Sequence, residues 1–340
     1  MTTRIAGELN AVPRVLITTV PFADRNRLPL EQLESAGIEY IINPIGRRLK
    51  EDELADLIGD FDALIAGTEP VTEKVMARAG KLKLISRVGI GLDSVDLLAA
   101  EKRGIKVSYT PDAPAPAVAE LTIALMLSLL RGVHVANLQL HAGKWQRIFG
   151  RRIAEVTVGI IGVGRIGARV LRRIPAFGTP RVLANDTNPQ LKFDPELKLE
   201  WVGKEDIYRN ADLISLHVPL TPQTKNMIRR EQLMLMKPDA LIINCARGGI
   251  INERDLAEVM NAGHLGGAAI DVFEHEPYSG ELADIERCLL TAHMGSMSVD
   301  CRTRMEIEAT EEAVRFLRGE AQRSPVPHDE YEMQRAGRSA

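Results

Sequence analysis

A chain of 340 residues is longer than one hydrophobic core comfortably fills, so two domains are expected. Its 45% hydrophobic and 26% charged content is that of a globular protein and excludes fibrous and disordered classes. Lys and Arg total 43 against 46 Asp and Glu, a net charge of −3 with no basic run, so the expected partner is a small molecule and not nucleic acid or a membrane surface.

The N-terminal stretch MTTRIAGELNAVPRVLITT has no uninterrupted apolar run followed by a small-residue cleavage site, which predicts a cytoplasmic protein. Short β-branched runs at 15–19, 40–43, 63–66 and 84–87 alternate with helix-patterned segments, the pattern of an α/β lobe. Asp112 and prolines 111, 114 and 116 then mark a crossing to a second lobe. The stretch that follows is apolar at helical spacing from Ala117 and closed by Gly143, so one long connecting helix is expected. Its apolar run at 121–130 is too short to span a bilayer and reads as a buried helix.

A second series of strands is predicted at 156–161, 181–185, 213–218, 241–245, 268–271 and 289–292, six strands separated by helices as in a dinucleotide-binding lobe. Residues 299–318 are helix-patterned again and can return to the first lobe, while 326–340, rich in charge, read as a mobile tail. The expected fold is therefore two doubly wound parallel-sheet α/β lobes. A Rossmann lobe, 111–296, is inserted into a substrate-binding lobe made of 1–110 and 297–325. Cys245, Cys288 and Cys301 form no CxxC and are odd in number, so neither a disulfide framework nor a metal site is expected.

The strand at 156–161 runs straight into Gly162, Gly164 and Gly167 of GVGRIG and then into a helix. In that context the first glycine permits the tight turn, the second lets backbone approach a pyrophosphate, and the third lets helix pack on strand. Nineteen residues past Gly167 the next strand ends in Asp186, a carboxylate suited to the ribose hydroxyls of NAD and opposed to the extra phosphate of NADP.

Three later strand ends carry chemistry. LIINC leads to Arg247, whose planar donor fork matches a carboxylate. GGAAID leads to Glu274, His275 and Glu276, and LLTA leads to His293. Hydride transfer to a carbonyl needs a proton donor near neutral pH, which suits an imidazole held and charge-stabilised by a neighbouring carboxylate.

Seven segments, RVGIGLDSVDL (87–97), AVAELT (117–122), GIIGVGRIG (159–167), LHVPLTPQT (216–224), NCARGG (244–249), DVFEHEP (271–277) and TAHMGS (291–296), together resemble the D-2-hydroxyacid dehydrogenase family. The nearest likeness is to its phosphoglycerate dehydrogenase-like branch without a regulatory domain. The resemblance implies an NAD-dependent oxidoreductase of small 2-hydroxy and 2-keto acids. In it Arg247 binds substrate, Glu276 pairs with the imidazole and His293 is the acid/base. It further implies Gly162, Gly164, Arg165, Ile166, Gly167 and Asp186 as pyrophosphate and ribose contacts, and His217, Pro219 and Thr224 on the adenosine side. Cys245, Ala246, Asp271, Gly295 and Ser296 fall at the nicotinamide end, and the backbone of Ile90 and Gly91 receives the substrate carboxylate. A homodimer through the connecting helix is also implied. A partner-binding NAD sensor on the same fold, as in the co-repressors that resemble these enzymes, is the rival reading. Two departures bear on substrate: GTEP at 67–70 stands where phosphoglycerate dehydrogenases usually place an Arg-Ser-type segment, and Pro114 stands where formate-oxidising members carry Asn.

Overall fold

Runs such as ALIA, VGII and LIIN lack the alternation of a half-exposed strand, and each forms a strand buried along its whole length in a parallel sheet. The computed structural model describes residues 12–189, 193 and 197–338. The chain divides into two units, one reaching to Ala113 and resuming at Val299, the other Pro114–Ser298.

In the first unit β1 (Arg14–Ile17), β2 (Glu39–Ile42), β3 (Ala63–Ala66), β4 (Leu84–Arg87) and β5 (Lys106–Tyr109) form a parallel sheet in the order β2-β1-β3-β4-β5. Helices α1 (Leu28–Ser35), α2 (Glu51–Leu57), α3 (Glu73–Arg78) and α4 (Leu97–Lys102) connect them. The sequence reading missed β5 because KVSY carries Lys and Ser. Ser108 is tolerated there because its hydroxyl meets that of Ser86, 3.2 Å away on β4.

The second unit opens with α5 (Ala115–Arg131), which buries Val118, Thr122, Leu125 and Met126 against the sheet. The single helix expected from 117 to 143 is not formed. Gly132 adopts φ +60°, a left-handed conformation that glycine takes without strain, and α6 (Val133–His141) leaves at 65°. Then follow β6 (Val158–Ile161), α7 (Arg165–Arg173), β7 (Val182–Asn185), β8 (Leu199–Trp201), α8 (Lys204–Asn210) and β9 (Leu213–Leu216). After these come α9 (Arg230–Leu235), β10 (Leu241–Asn244), α10 (Glu253–Asn261), β11 (Gly267–Ile270) and β12 (Cys288–Leu290). The strand order β12-β11-β10-β9-β6-β7-β8 reverses between β6 and β9, the point at which doubly wound sheets bind ligands. Seven strands stand where six were expected. β8 is a three-residue edge strand whose central Glu200 faces solvent, too short and too polar to read as one.

Two apolar cores cover the two faces of this sheet, one around Leu216, Ile242 and Ile270, the other around Ile160, Ile243 and Ala269. The chain then returns to the first unit as α11 (Val299–Leu317), which packs on α1, β3 and β4. The mobile tail expected from 326 is corrected by the structure. Val326 is buried and donates its N–H to Val107 O at 3.1 Å. Beyond it α12 (His328–Arg338) is tied to the start of α4 by Gln334, which accepts from Leu97 N at 2.9 Å and donates to Val95 O at 2.8 Å. Those contacts are distant in sequence, so composition alone does not reveal them. No single helix among the described residues is long and apolar enough to cross a membrane.

Candidate active site

Strand register puts the site together. Leu290, Ile270, Asn244, Leu216, Ile161 and Asn185 are successive partners across the second sheet. The residues that follow them, Thr291, Asp271, Cys245, His217, Gly162 and Asp186, therefore all emerge at one edge. Every candidate residue of the second unit lies on that edge or in the turns that leave it.

The glycine loop fits a dinucleotide phosphate. Gly162 has φ +94°, and a Cβ there would stand 2.5 Å from the carbonyl oxygen of His217 on the neighbouring strand. A Cβ on Gly167 would overlap the carbonyl of Gly162. At Gly164 the constraint is absent: apart from its own chain neighbours, no atom among the described residues lies within 4 Å of the place a Cβ would take. Packing within the protein therefore does not require glycine there, whereas close approach of a ligand to the N-terminus of α7 does. Arg165 is exposed at the first position of that helix, and Ile166 beside it packs on the core.

Asp186 also holds this loop. One carboxylate oxygen accepts the Val163 N–H at 2.6 Å and the other accepts the Asn188 N–H at 2.8 Å. Across the sheet reversal, His217 Nε2 is 3.0 Å from Ser215 Oγ, while its Nδ1 is buried with no partner among the described residues. Burial pushes the His217 imidazole down to about 4. Thr224 closes its turn by donating to Pro219 O at 2.6 Å and accepting the Thr221 N–H at 2.7 Å.

Beyond β10, Asn244 shapes the turn that carries Arg247, accepting the Ala246 N–H at 3.0 Å and donating to Arg247 O at 2.8 Å. Arg247 Nη1 donates to Ala246 O at 2.7 Å. The next residue, Gly248, abuts the backbone of Phe273 and Glu274 so closely that any Cβ would overlap it. The Arg247 turn and the Glu276 turn are thus in direct contact. Cys245 is buried, and its thiol is pushed up to about 12 by burial and then by the Asp271 carboxylate, so it is no nucleophile.

Beyond β11 and β12 the two remaining groups meet. His293 Nδ1 lies 2.9 and 3.0 Å from the two oxygens of Glu276, and Glu276 Oε1 also accepts the Phe273 N–H at 3.1 Å. With Nδ1 engaged, Nε2 is the ring nitrogen left for a substrate. His293 has φ +48°, and Asp271 holds it there. The carboxylate of Asp271 accepts from Thr291 Oγ1 at 2.6 Å, Met294 N at 2.8 Å and Gly295 N at 2.9 Å, while its carbonyl accepts the His293 N–H at 2.8 Å. Ser296 is half-buried in the turn closed by Met297 N–H to Met294 O at 2.9 Å. The sequence reading found Asp271 but not this clamp, and it missed Asn244 and Thr291, whose only signal was their place at the strand ends.

In the first unit, Ile90 and Gly91 follow β4. Gly89 N–H donates to Thr110 Oγ1 at 2.7 Å, whereas the N–H groups of Ile90 and Gly91 have no partner among the described residues. Arg87 is buried and folds back onto Val88 O. In GTEP, Glu69 is buried and accepts from Thr18 Oγ1 and from Gly67 N at 2.8 Å.

Residues 123–295 match the family of D-isomer specific 2-hydroxyacid dehydrogenase NAD binding domains. The chain is 39% identical over 278 residues to D-3-phosphoglycerate dehydrogenase of Methanocaldococcus jannaschii, covering 80% of this chain and 53% of that one, so it spans about half of that relative's length. It is 37% identical over 276 residues to hydroxypyruvate reductase of Thermotoga maritima, covering 79% of this chain and 89% of that one. Among solved structures, the TT0316 protein of Thermus thermophilus superposes with a TM-score of 0.83 at 35% identity, covering 92% of this chain and all of that one.

Proposed function

The chain belongs to the D-isomer specific 2-hydroxyacid dehydrogenase family, and from that membership we propose that it interconverts a small D-2-hydroxy acid and its 2-keto acid with NAD. The observation that carries the proposal is the Glu276–His293 pair, in which both carboxylate oxygens fix Nδ1 and leave Nε2 to exchange a proton. In reduction Nε2 gives its proton to the keto oxygen; in oxidation it takes the hydroxyl proton. NAD, when bound, supplies the hydride acceptor or donor.

Arg247 offers its fork to the substrate carboxylate and carbonyl. Ile90 and Gly91, whose N–H groups have no partner among the described residues, are assigned to the substrate carboxylate. Gly162, Gly164, Arg165, Ile166 and Gly167 hold the pyrophosphate and Asp186 the ribose. His217, Pro219 and Thr224 cover the adenosine side, with Cys245, Ala246, Asp271, Gly295 and Ser296 at the nicotinamide end. The open space in front of Gly164 supports this assignment. The buried Glu69 in GTEP supports a substrate without a phosphate in that loop.

The working form is a homodimer. Leu138, Leu140, Trp145 and Phe149 in and after α6 are exposed, Phe149 fully, an apolar surface that a second copy would cover. A cytoplasmic setting suits three buried cysteines, none of which is in a disulfide.

The test is turnover of glyoxylate, hydroxypyruvate, its phosphate, pyruvate and larger 2-keto acids with NADH, followed at the nicotinamide absorbance. Oxidation of NADH with at least one is expected. Tight NADH binding with no turnover of any would favour a sensing protein instead.

A further inference from the structure

We infer that Glu253 is a positioning residue that holds the Glu276–His293 pair in its working geometry; the inference rests on the dehydrogenase reading. Glu253 is the first residue of α10, but it does not cap its own helix, because Asn252 does so by accepting the Asp255 N–H at 3.0 Å. Its carboxylate instead reaches across to the turn after β11 and accepts the Glu274 N–H at 2.6 Å.

The preceding N–H in that turn, of Phe273, goes to Glu276 Oε1 at 3.1 Å. Two carboxylates therefore take two consecutive amides of one turn, Glu276 from inside and Glu253 from α10. The same peptide is pressed by Gly248, one residue beyond Arg247. Glu253 is thus joined to all three strand ends that carry the proposed chemistry: to the Glu276 turn directly, to Arg247 through the Gly248 contact, and to His293 through Glu276.

A half-buried carboxylate in this place carries a penalty. Burial, and then the charges of Glu274 and Glu276, push Glu253 above the usual carboxylate range, opposed by the Glu274 N–H and by His275. The titratable groups facing it are Glu274, His275 and Glu276 of the turn and Tyr278 beyond it. On its own helix Arg254 is engaged with Glu258 at 3.2 Å.

Two variants test the geometry. Glu253→Gln keeps an acceptor for the Glu274 N–H; Glu253→Ala removes it. In reduction of a 2-keto acid, Glu253→Ala should lower kcat on the order of tenfold, as small misplacements of a proton donor do, with KM for NADH nearly unchanged, and Glu253→Gln should restore most of the loss. The NMR signals of the His293 ring in the substrate-free protein, assigned by their loss in His293→Gln, give a readout independent of turnover. They should be displaced in Glu253→Ala and restored in Glu253→Gln. Undisplaced His293 signals in Glu253→Ala overturn the inference whatever the activity. Displaced signals in a protein that turns over no 2-keto acid count against the dehydrogenase reading instead.

Discussion

The Glu276 carboxylate engages one ring nitrogen of His293, because both of its oxygens lie within 3.0 Å of Nδ1. Glu276→Gln replaces one of those oxygens by an amide nitrogen and so loosens the hold on the ring; it should lower kcat/KM in both directions on the order of tenfold to a hundredfold. Unchanged kcat/KM in both directions, where chemistry limits the rate, would return Glu276 to a structural role. For His217 the folded-state value of about 4 lies below the ordinary value of 6.5, so the unfolded chain takes up a proton that the native state refuses. The stability involved is present above pH 6.5 and is lost as pH falls towards 4. By pH 5 the loss from this residue is up to about 2 kcal/mol. Urea unfolding at pH 7 and pH 5 should show a smaller difference for His217→Gln than for the unaltered protein.

Turns, more than strands, carry the site. The turn after β12 is held by the Asp271 carboxylate, and the loop between β6 and α7 by that of Asp186. Asp186 therefore fixes the Val163 N–H in addition to the ribose contact proposed for it. Asp186→Ser combined with Asn188→Arg should relax the preference for NAD over NADP, since the repelling charge goes and a cation arrives. The loop should also loosen. A hydrogen bond to a charged group is worth about 1.5–3 kcal/mol, so kcat/KM with NADH should fall on the order of tenfold or more while that with NADPH rises. Undiminished kcat/KM with NADH would show that the loop does not depend on Asp186. Two elements that sequence patterning missed, β5 and α12, share one property: their polar residues are satisfied by distant partners. Ser108 on β5 meets Ser86, and Gln334 on α12 meets Val95 and Leu97.

For the assembled protein, the exposed side chains of α6 and the segment after it give a direct test of self-association. Trp145→Ser with Phe149→Ser and Leu140→Glu removes much of the apolar surface from residues that pack on little else, so light scattering should report a shift from dimer towards monomer with the fold retained. A monomer before substitution would refute the dimer. The strand runs, the GxGxxG spacing and the strand-end positions of Arg247, Glu276 and His293 were legible in the chain, because buried parallel strands need continuous apolar residues and a phosphate turn needs glycine at fixed intervals. The bend at Gly132, by contrast, is a helix break that a single glycine permits but does not dictate. Likewise the turn clamps of Asp271, Asn244 and Glu253 arise only when register aligns β9 to β12 and brings separate turns together. Local pattern and covalent spacing thus determined which elements form and which side chains lie at their ends. The direction in which each side chain acts, and what holds it there, was decided by tertiary contacts between segments far apart in sequence.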